Sequence, residues 1–301
     1  MTRLVGLDVG GTHVRVAAAD PASPDVQAPR PTVAKHDLPA GYVDFLEAAA
    51  EWIGQGAAGV GIGLPGQVRG NRPTWVPNVA WLDDHDLASD LARRVGAPVT
   101  LANDAQCALL AELHDGAARD VNDVVLVAIG TGIGGAIAHG GSLVRGAHGT
   151  AGAFGWLSAP GATTNDTAPA TSSASRPQQG PWERRASGSA LRLRIDAAGL
   201  APDKLRASTS PVVQAFLQAY LDDVAVGLGA LASILDPERV LLSGGVAELL
   251  QPHRNDLERR MRTHASPVAA GVTLRIADHG AAAGARGALR LATLGEGAFL
   301  S

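Results

Sequence analysis

Lysine and cysteine are almost absent from this chain of 301 residues. Lysine occurs only at Lys35 and Lys204, and no Gly-x-x-x-x-Gly-Lys segment is present, which excludes a P-loop for binding phosphates. The only cysteine, Cys107, lies in an apolar run and is expected to serve packing. A single cysteine can form neither an intrachain disulfide nor a cysteine-based zinc cluster.

A strongly basic balance and long apolar runs are also missing. The formal net charge is −4, whereas nucleic-acid-binding proteins usually present a basic face. No apolar run comes near the ~20 residues that a membrane span needs, and the first residues lack the pattern of a signal peptide. We therefore expect a cytoplasmic protein that has neither nucleic acid nor a membrane as its partner.

Hydrophobic residues make up 46% of the chain and charged residues 18%, which is typical of a globular protein with a large core. Both halves begin with an apolar strand, a glycine turn and a second strand, at residues 3–19 and 123–138. This weak internal duplication predicts an α/β fold with two domains, 1–115 and 116–301.

The remaining elements are predicted from periodicity. Helical spacing of apolar residues predicts helices over 42–53, 87–95, 103–113, 212–235 and 281–291, with further helices starting near 187 and 246. Short apolar runs predict strands over 59–64, 98–102, 240–242 and 271–276, and an extended segment near 32–38. Residues 160–181 are rich in Ala, Thr, Ser, Pro and Gln, which predicts a mobile loop.

Three glycine turns, at 8–12, 130–135 and 243–245, each follow an apolar strand. Glycine lets backbone N–H groups approach a phosphate closely. One such turn is explained as well by a tight hairpin, but three together favour a nucleotide site. The turn at 130–135 is followed by a strand, so it is not the Rossmann fingerprint. The residues expected to bind the nucleotide are Asp8, Gly10, Gly11, Thr12, Arg15, Gly130, Thr131, Gly132, Gly134, Gly244 and Gly245.

Two carboxylates lie where strands are predicted to end. Asp8 is suited to hold a hydrated Mg²⁺ beside the phosphates, although it could equally cap its own turn. Asp104 follows Asn103 between a strand and a helix, where it could accept a proton from a substrate hydroxyl during phosphoryl transfer. A plain helix cap explains Asn103 and Asp104 equally well. Asn78 is a further candidate for binding a hydroxyl.

In this order, the motifs resemble those of the ROK family of sugar kinases and repressors, within the actin-like ATPase superfamily. The resemblance covers most of the chain. The segments that carry it are LDVGGTHVR at 7–15, GIGLPG at 61–66, PN at 77–78, ANDA at 102–105 with the residues up to Glu112, AIGTGIGG at 128–135 and DPERVLLSGG at 236–245.

The resemblance implies two actin-like, ribonuclease H-like α/β domains with a cleft between them, and a last helix that packs back on the first domain. It implies ATP and Mg²⁺ at the glycine turns, Asp104 as the catalytic base and a small-molecule sugar beside it. By analogy it also implies a homodimer. The residues expected to bind the sugar are Gly66, Asn78, Asn103, Asp104, Trp156 and Glu183.

The chain departs from the family in one segment. Sugar kinases of the family carry Glu-x-Gly-His where this chain has Ala153 to Trp156, so a carboxylate and an imidazole that contact the sugar are missing. The zinc cysteines of the family are missing too, and no zinc is expected. An indole at position 156 could stack on a sugar face or could simply pack. Glu183 matches a second sugar-binding Glu of the family.

Several functions are compatible with these motifs. The leading hypothesis is an ATP-dependent sugar kinase resembling hexokinase or glucokinase. A kinase for an N-acetyl amino sugar or a polyol is an alternative, because the sugar-binding segment is altered. A non-catalytic sugar or nucleotide sensor, as among the repressors of the family, is another. A plain ATPase of the actin-like superfamily is less favoured, because Asn78, Asn103 and Glu183 are retained.

Overall fold

The computed structural model describes residues 3–19, 32–70, 72–77, 79–158, 179–200, 210–269 and 271–300. Asn78 and residues 160–178 of the predicted loop lie outside these ranges. The chain divides into two compact units: Met1–Asn122, Ala136–Ala151 and Asp278–Ser301 form the first, and Asp123–Gly135 with Gly152–Ala277 form the second. The first unit therefore also contains 116–122, 136–151 and 278–301. The sequence pattern had assigned these residues to the second domain, while the family resemblance implied that the last helix packs back on the first.

In the described chain, runs of one to three strands alternate with runs of one to three α-helices. The strands are β1 (Arg3–Val9), β2 (His13–Ala19), β3 (Thr32–Asp37), β4 (Ala57–Leu64), β5 (Gln67–Arg69), β6 (Arg72–Trp75), β7 (Val99–Asn103), β8 (Val124–Ile129), β9 (Ile133–His139), β10 (Ser142–Leu143), β11 (Arg239–Ser243) and β12 (Thr273–Ile276). The α-helices are α1 (Tyr42–Ile53), α2 (Leu87–Val95), α3 (Asp104–Asp115), α4 (Glu183–Ala186), α5 (Gly188–Ala197), α6 (Pro211–Leu235), α7 (Gly245–Leu250), α8 (Arg254–His264) and α9 (Ala283–Leu294).

The sheet of the first unit has the strand order β3-β2-β1-β4-β7. The pairs β3–β2 and β2–β1 are antiparallel, while β1, β4 and β7 run parallel. In the register of the parallel strands, Asp8 lies opposite Gly63 and Leu64 opposite Asn103. The carboxyl ends of β1, β4 and β7 therefore meet at one edge of the sheet, where ligands of α/β proteins commonly bind.

The last helix, α9, packs on this sheet because the strands beneath it carry glycines. A Cβ on Gly59 would lie 2.6 Å from the carbonyl oxygen of Ala292, and Cβ atoms on Gly6 and Gly61 would also clash with the backbone of α9. The helix returns to the first sheet after the second unit is complete. This return explains why the first unit is discontinuous in sequence.

The second sheet has the order β10-β9-β8-β11-β12, in which β8, β11 and β12 are parallel. Helix α6 is, in the described part of the chain, the one helix long and apolar enough to span a membrane. However, 56% of the most apolar 18-residue stretch of this helix is buried inside the protein. The carboxylate of Asp223 in the helix also forms ion pairs with Arg185 and Arg194. Gly227 makes room there for the indole of Trp182, so α6 is the core helix of the second unit.

Most predicted elements are present with ends shifted by a few residues, and α1 has the predicted bounds. The hairpin of β5 and β6 had not been predicted. Its strands are only 3 and 4 residues long and include Pro73, which disfavours a strand by propensity alone. Backbone pairing of Gln67 with Trp75 is a tertiary feature that local patterning does not reveal.

Candidate active site

Two carboxylates meet at the carboxyl edge of the first sheet. Asp8 is near the end of β1, and Asp104 is the first residue of α3, directly after β7. The turn at Pro65 and Gly66 follows β4 between them. Gly66 has a φ of 102°, and a Cβ there would clash with the backbone of Trp75. Glycine is therefore required where this turn passes the hairpin.

The start of α3 is fixed by a reciprocal cap. Asn103 Oδ1 accepts a hydrogen bond from the backbone N–H of Gln106 at 2.6 Å, and Gln106 Oε1 accepts one from the N–H of Asn103 at 3.0 Å. The Asn-x-x-Gln spacing that makes this cap is visible in the sequence. Asn103 Oδ1 accepts the bond of the cap, and the amide NH₂ of Asn103 is a donor that can be offered to a ligand.

The cap leaves the neighbouring carboxylate of Asp104 exposed. Asp104 Oδ1 accepts a hydrogen bond from the N–H of Ala105 at 2.8 Å. Surrounding protein atoms desolvate the carboxylate, and together with the negative charge of Asp8 this raises the pKa of Asp104 to about 6, against the opposing effect of its backbone hydrogen bonds. An aspartate with such a pKa is ionised at neutral pH and is more basic than usual, as a general base requires.

Asp8 is buried and has one basic partner among the described residues. Arg15 Nη1 lies 3.3 Å from Asp8 Oδ2. Burial raises the pKa of Asp8, and the guanidinium of Arg15 opposes that effect. The register of β1 and β2 places the two side chains opposite each other, so the sequence-predicted pair of Asp8 and Arg15 is brought together.

The first glycine turn joins β1 to β2. The N–H of Gly10 donates to the carbonyl oxygen of His13 at 2.8 Å, and the N–H of Leu38 donates to the carbonyl oxygen of Thr12 at 3.0 Å. The N–H of Gly10 is therefore hydrogen-bonded inside the turn, so this group is not available to contact a phosphate directly. Gly11 and Thr12 are the exposed residues of the turn.

The second and third glycine turns lie side by side in the second unit, because β8 and β11 are parallel neighbours with Ala128 opposite Ser243. Gly244 has a φ of 86°, and a Cβ there would lie 2.5 Å from the carbonyl oxygen of Ile129. In contrast, Cβ atoms at Gly130, Gly134 and Gly245 would meet nothing within 4 Å. The paired turns therefore present open backbone, as a phosphate-binding site requires.

Helix α5 holds the second turn in place from one side. The N–H of Gly188 donates to the carbonyl oxygen of Gly130 at 2.7 Å, and the N–H of Ser189 donates to that of Thr131 at 3.3 Å. Ser187 caps α5 through its hydroxyl. These bonds use carbonyl oxygens of the turn, while the N–H of Gly130 donates within the turn to the carbonyl oxygen of Gly132 at 3.0 Å.

Glu183 lies against the same turn. Its Oε2 accepts a hydrogen bond from the N–H of Ile133 at 2.9 Å, and burial raises its pKa while that bond opposes the shift. A Cβ on Gly155 would lie 2.8 Å from Glu183 Oε2. The side chains of Ala153 and Trp156 flank this contact, and both are exposed, with 52% of Trp156 accessible. Trp156 thus does not fill a packing position within its unit.

Two further residues at the carboxylates had not been singled out as site residues. A Cβ on Gly284, in the first turn of α9, would lie 2.5–2.7 Å from the carboxyl atoms of Asp8. Cys107 is fully buried, and burial raises the pKa of its thiol, with the charges of Asp8 and Asp104 adding to the effect. Neither role was predictable, because both depend on how α9 and α3 pack on the sheet.

The donor set fits Mg²⁺ better than a metal enclosed by protein ligands. Within the described ranges no group of three or more His, Cys, Asp and Glu side chains could hold a metal ion. Mg²⁺ usually keeps several waters and binds through one or two carboxylates and substrate phosphates. Asp8, with a desolvated carboxylate and one partner at 3.3 Å, suits that mode.

Comparisons with known proteins agree with these features. The chain is 28% identical over 289 residues to a glucokinase of Streptomyces coelicolor, covering 85% of this chain and 87% of that protein. It is 31% identical over 318 residues to the N-acetylgalactosamine kinase AgaK of a Shewanella species, covering 97% and 96%. A ROK family glucokinase structure from Streptomyces griseus, in complex with glucose and AMPPNP, superposes with a TM-score of 0.70 at 26% identity, covering 97% of this chain and 100% of that one.

These likenesses extend over nearly the whole chain rather than one motif. The α/β fold with two actin-like domains that the sequence predicted is confirmed by the structural comparison. Residues 4–294 match the model of the ROK family, and the protein is a member of that family.

Proposed function

We propose that the protein is an ATP-dependent sugar kinase that transfers the γ-phosphate of ATP to a sugar hydroxyl. The observation that carries this proposal is Asp104, an exposed carboxylate with a pKa near 6, held by a capped helix beside Asp8. The names of the similar glucokinase and N-acetylgalactosamine kinase support the same reaction class.

In this proposal Asp104 accepts the proton of the attacking hydroxyl as the bond between that oxygen and the γ-phosphorus forms. The bond from the γ-phosphorus to the bridging oxygen breaks, and ADP carries away the electron pair. The products are a sugar phosphate, ADP and a proton on Asp104, which solvent then removes. Such a base typically contributes about 10²- to 10⁴-fold to the rate.

The glycine turns and their polar residues are proposed to bind the nucleotide. The open space at Gly130, Gly134 and Gly245 lets phosphate oxygens approach the backbone. Gly134 and Gly245 would supply N–H groups, whereas the N–H of Gly130 donates to the carbonyl oxygen of Gly132 at 3.0 Å. Gly11 and Thr12 are exposed in the first unit. The remaining predicted members are Gly10, Arg15, Thr131, Gly132 and Gly244. Mg²⁺, held by Asp8 through water, would neutralise charge on the transferring phosphate.

The sugar is proposed to contact Asp104 and the residues Asn103, Asn78, Gly66, Glu183 and Trp156. Ala153 and Trp156 share one face of the 3₁₀ turn Phe154–Trp156, because side chains three apart eclipse in that geometry. This face offers a methyl group and an indole where sugar kinases that the chain resembles carry a carboxylate and an imidazole. We propose a hexose or an N-acetyl amino sugar as the acceptor, since relatives with both activities are similar to this chain.

A screen of acceptors tests the function. ADP release is measured with ATP, Mg²⁺ and a panel of hexoses, N-acetyl amino sugars and polyols. Sugar-dependent release is expected from the wild type, and a loss of about 10²-fold or more from Asp104→Asn. The matched control is Asp44→Asn, which changes another exposed aspartate in the first turn of a helix and should be fully active.

Two alternatives have distinct outcomes in the same screen. ADP release that no acceptor stimulates would indicate a plain ATPase. Binding of a sugar in calorimetry, with no ADP release for any acceptor, would indicate the non-catalytic sensor. Either result would refute the proposed kinase.

A cytoplasmic location and a homodimer belong to the proposal as well. A kinase that uses ATP requires the compartment where ATP is supplied, which favours the cytoplasm. The homodimer rests on family analogy alone. Sedimentation analysis of the purified protein tests the oligomer, and a purely monomeric chain would contradict it.

A further inference from the structure

The side chain of His13 connects the first glycine turn to the edge strand β3. Its Nδ1 lies 2.7 Å from Thr12 Oγ1, and its Nε2 lies 3.6 Å from Asp37 Oδ1. His13 and Asp37 are register partners in the antiparallel pair of β2 and β3. The imidazole is thus placed between a hydroxyl in the turn and a carboxylate on the neighbouring strand.

The backbone of the turn is fixed from both sides. The N–H of Gly10 donates to the carbonyl oxygen of His13, and the N–H of Leu38 donates to that of Thr12. Thr12 itself is exposed, and its hydroxyl oxygen lies 2.7 Å from His13 Nδ1. While that contact is made, the protonation of Nδ1 decides where the hydroxyl proton points.

The contact between His13 and Thr12 has different hydrogen-bonding properties when His13 is neutral and when it is protonated. In the neutral tautomer of His13 that carries its proton on Nε2, Nδ1 accepts a hydrogen bond from the Thr12 hydroxyl. The Thr12 hydroxyl oxygen can then only accept hydrogen bonds from other groups, because its proton is already donated to Nδ1. In the imidazolium form, Nδ1–H donates to Thr12 Oγ1, and the hydroxyl proton becomes available to another acceptor.

Phosphate oxygens accept hydrogen bonds and carry negative charge, so they discriminate between these states. We propose that His13 is a positioning residue for the nucleotide phosphates: its protonation turns the Thr12 hydroxyl into a donor toward them and adds a positive charge beside the turn. This inference rests on the proposed nucleotide site. It requires that binding of ATP is accompanied by uptake of a proton at His13.

Other charged groups lie near this imidazole. Lys35 and Asp37, two residues apart in β3, lie on the same face of the sheet as His13. Arg15 lies two residues after His13 in β2 and pairs with Asp8 of β1. Helix α9 covers this face as well, and its Arg286 is bound to Asp115. Among these groups, Asp37 is the carboxylate within 4 Å of the imidazole.

Calorimetry of nucleotide binding tests the proposal without relying on catalysis. AMPPNP is titrated into wild type, His13→Gln and Thr12→Val at pH 6, 7 and 8, in buffers with different ionisation enthalpies, which reports the protons taken up. The matched control is His36→Gln, because His36 is the next histidine along β3 but stacks on Trp52 at 4.6 Å. Protons that the nucleotide, Asp8 and Asp104 take up or release are the same in all four proteins, so they cancel when the variants are compared.

The wild type and His36→Gln are expected to take up more protons at pH 7 than His13→Gln. From pH 8 to pH 6 their affinity should rise about five- to tenfold more than that of His13→Gln, as expected for one hydrogen bond to a charged group. Thr12→Val should lose most of this difference. Equal proton uptake by wild type and His13→Gln, or undiminished uptake by Thr12→Val, would overturn the proposal while leaving the nucleotide site in place. No binding to the wild type at millimolar nucleotide would overturn both.

Discussion

Asp104 shows at the scale of single residues how position changes the chemistry of a common side chain. Its carboxylate is exposed yet desolvated by surrounding protein and by the charge of Asp8, which raises its pKa to about 6. The pattern Asn-Asp before an apolar helix indicated a functional aspartate or a cap. The structure contains both: Asn103 makes the cap, and Asp104 is left accessible.

The activity should follow the ionisation of Asp104. A base acts only when deprotonated, so kcat/KM is expected to rise about tenfold per pH unit below pH 6 and to level off above pH 7. Initial rates between pH 4.5 and 8.5 measure this profile. A profile that is flat through pH 5–7 would contradict the assignment.

The same raised pKa has a consequence for stability. Because the pKa of folded Asp104 lies above the ordinary value, protonation stabilises the folded state, and this contribution is lost as pH rises through about 6. Asp104→Asn is therefore expected to be at least as stable as wild type at pH 8, with any advantage vanishing below pH 4. Urea unfolding at both pH values checks this.

At the scale of elements, α9 shows what sequence reasoning could and could not provide. The helix was predicted over 281–291 and lies at Ala283–Leu294. Its contact with Asp8 through Gly284 was not predictable, because the two residues are distant in sequence and only packing on the glycine-bearing strands brings them together. The register of the parallel strands could not be predicted from the sequence either. The ends of the apolar runs nevertheless placed Asp8, Gly66 and Asp104 at the ends of strands, where the structure has them.

Gly284→Ala should separate a site effect from a packing effect. The new Cβ would lie 2.5–2.7 Å from the Asp8 carboxyl atoms, so the carboxylate must shift. Overpacking is expected to cost about 1–3 kcal/mol in unfolding free energy, and the apparent KM for Mg²⁺ should rise. The control Gly59→Ala forces a Cβ to within 2.6 Å of Ala292 O on the same helix. Gly59 pairs with Leu4, four residues before Asp8 in β1.

Both variants should lose stability, but only Gly284→Ala should require more Mg²⁺. Chemical unfolding and Mg²⁺ titrations of the rate and of AMPPNP binding measure the two effects. An identical Mg²⁺ requirement in the two variants would show that Gly284 serves packing alone.

At the scale of the whole molecule, buried polar groups tie together segments that are far apart in sequence. Glu112 is fully buried and accepts hydrogen bonds from the backbone N–H groups of Ala117, Asp278 and His279. These bonds fasten the chain where it re-enters the first unit. The internal duplication predicted two domains, but the discontinuous first unit depends on such long-range bonds and was beyond the reach of local patterns.

Replacing Glu112 should weaken the first unit as a whole. In Glu112→Ala, three backbone donors lose their acceptor in a buried site, which is expected to cost about 3 kcal/mol or more. Glu112→Gln keeps one carbonyl oxygen and should lose less. Thermal and urea unfolding of both variants provide the comparison, and an alanine variant as stable as wild type would contradict this role.

The central claim is that Asp104 takes the proton of a sugar hydroxyl during transfer from ATP. Its most direct measurement is a single-turnover experiment at pH 8 that follows label from [γ-³²P]ATP into the sugar for wild type and Asp104→Asn, with nucleotide and sugar affinities measured alongside. We expect an unchanged nucleotide affinity and, at saturating sugar, transfer slowed about 10²-fold or more in the variant. Transfer at the wild-type rate by Asp104→Asn would contradict the account.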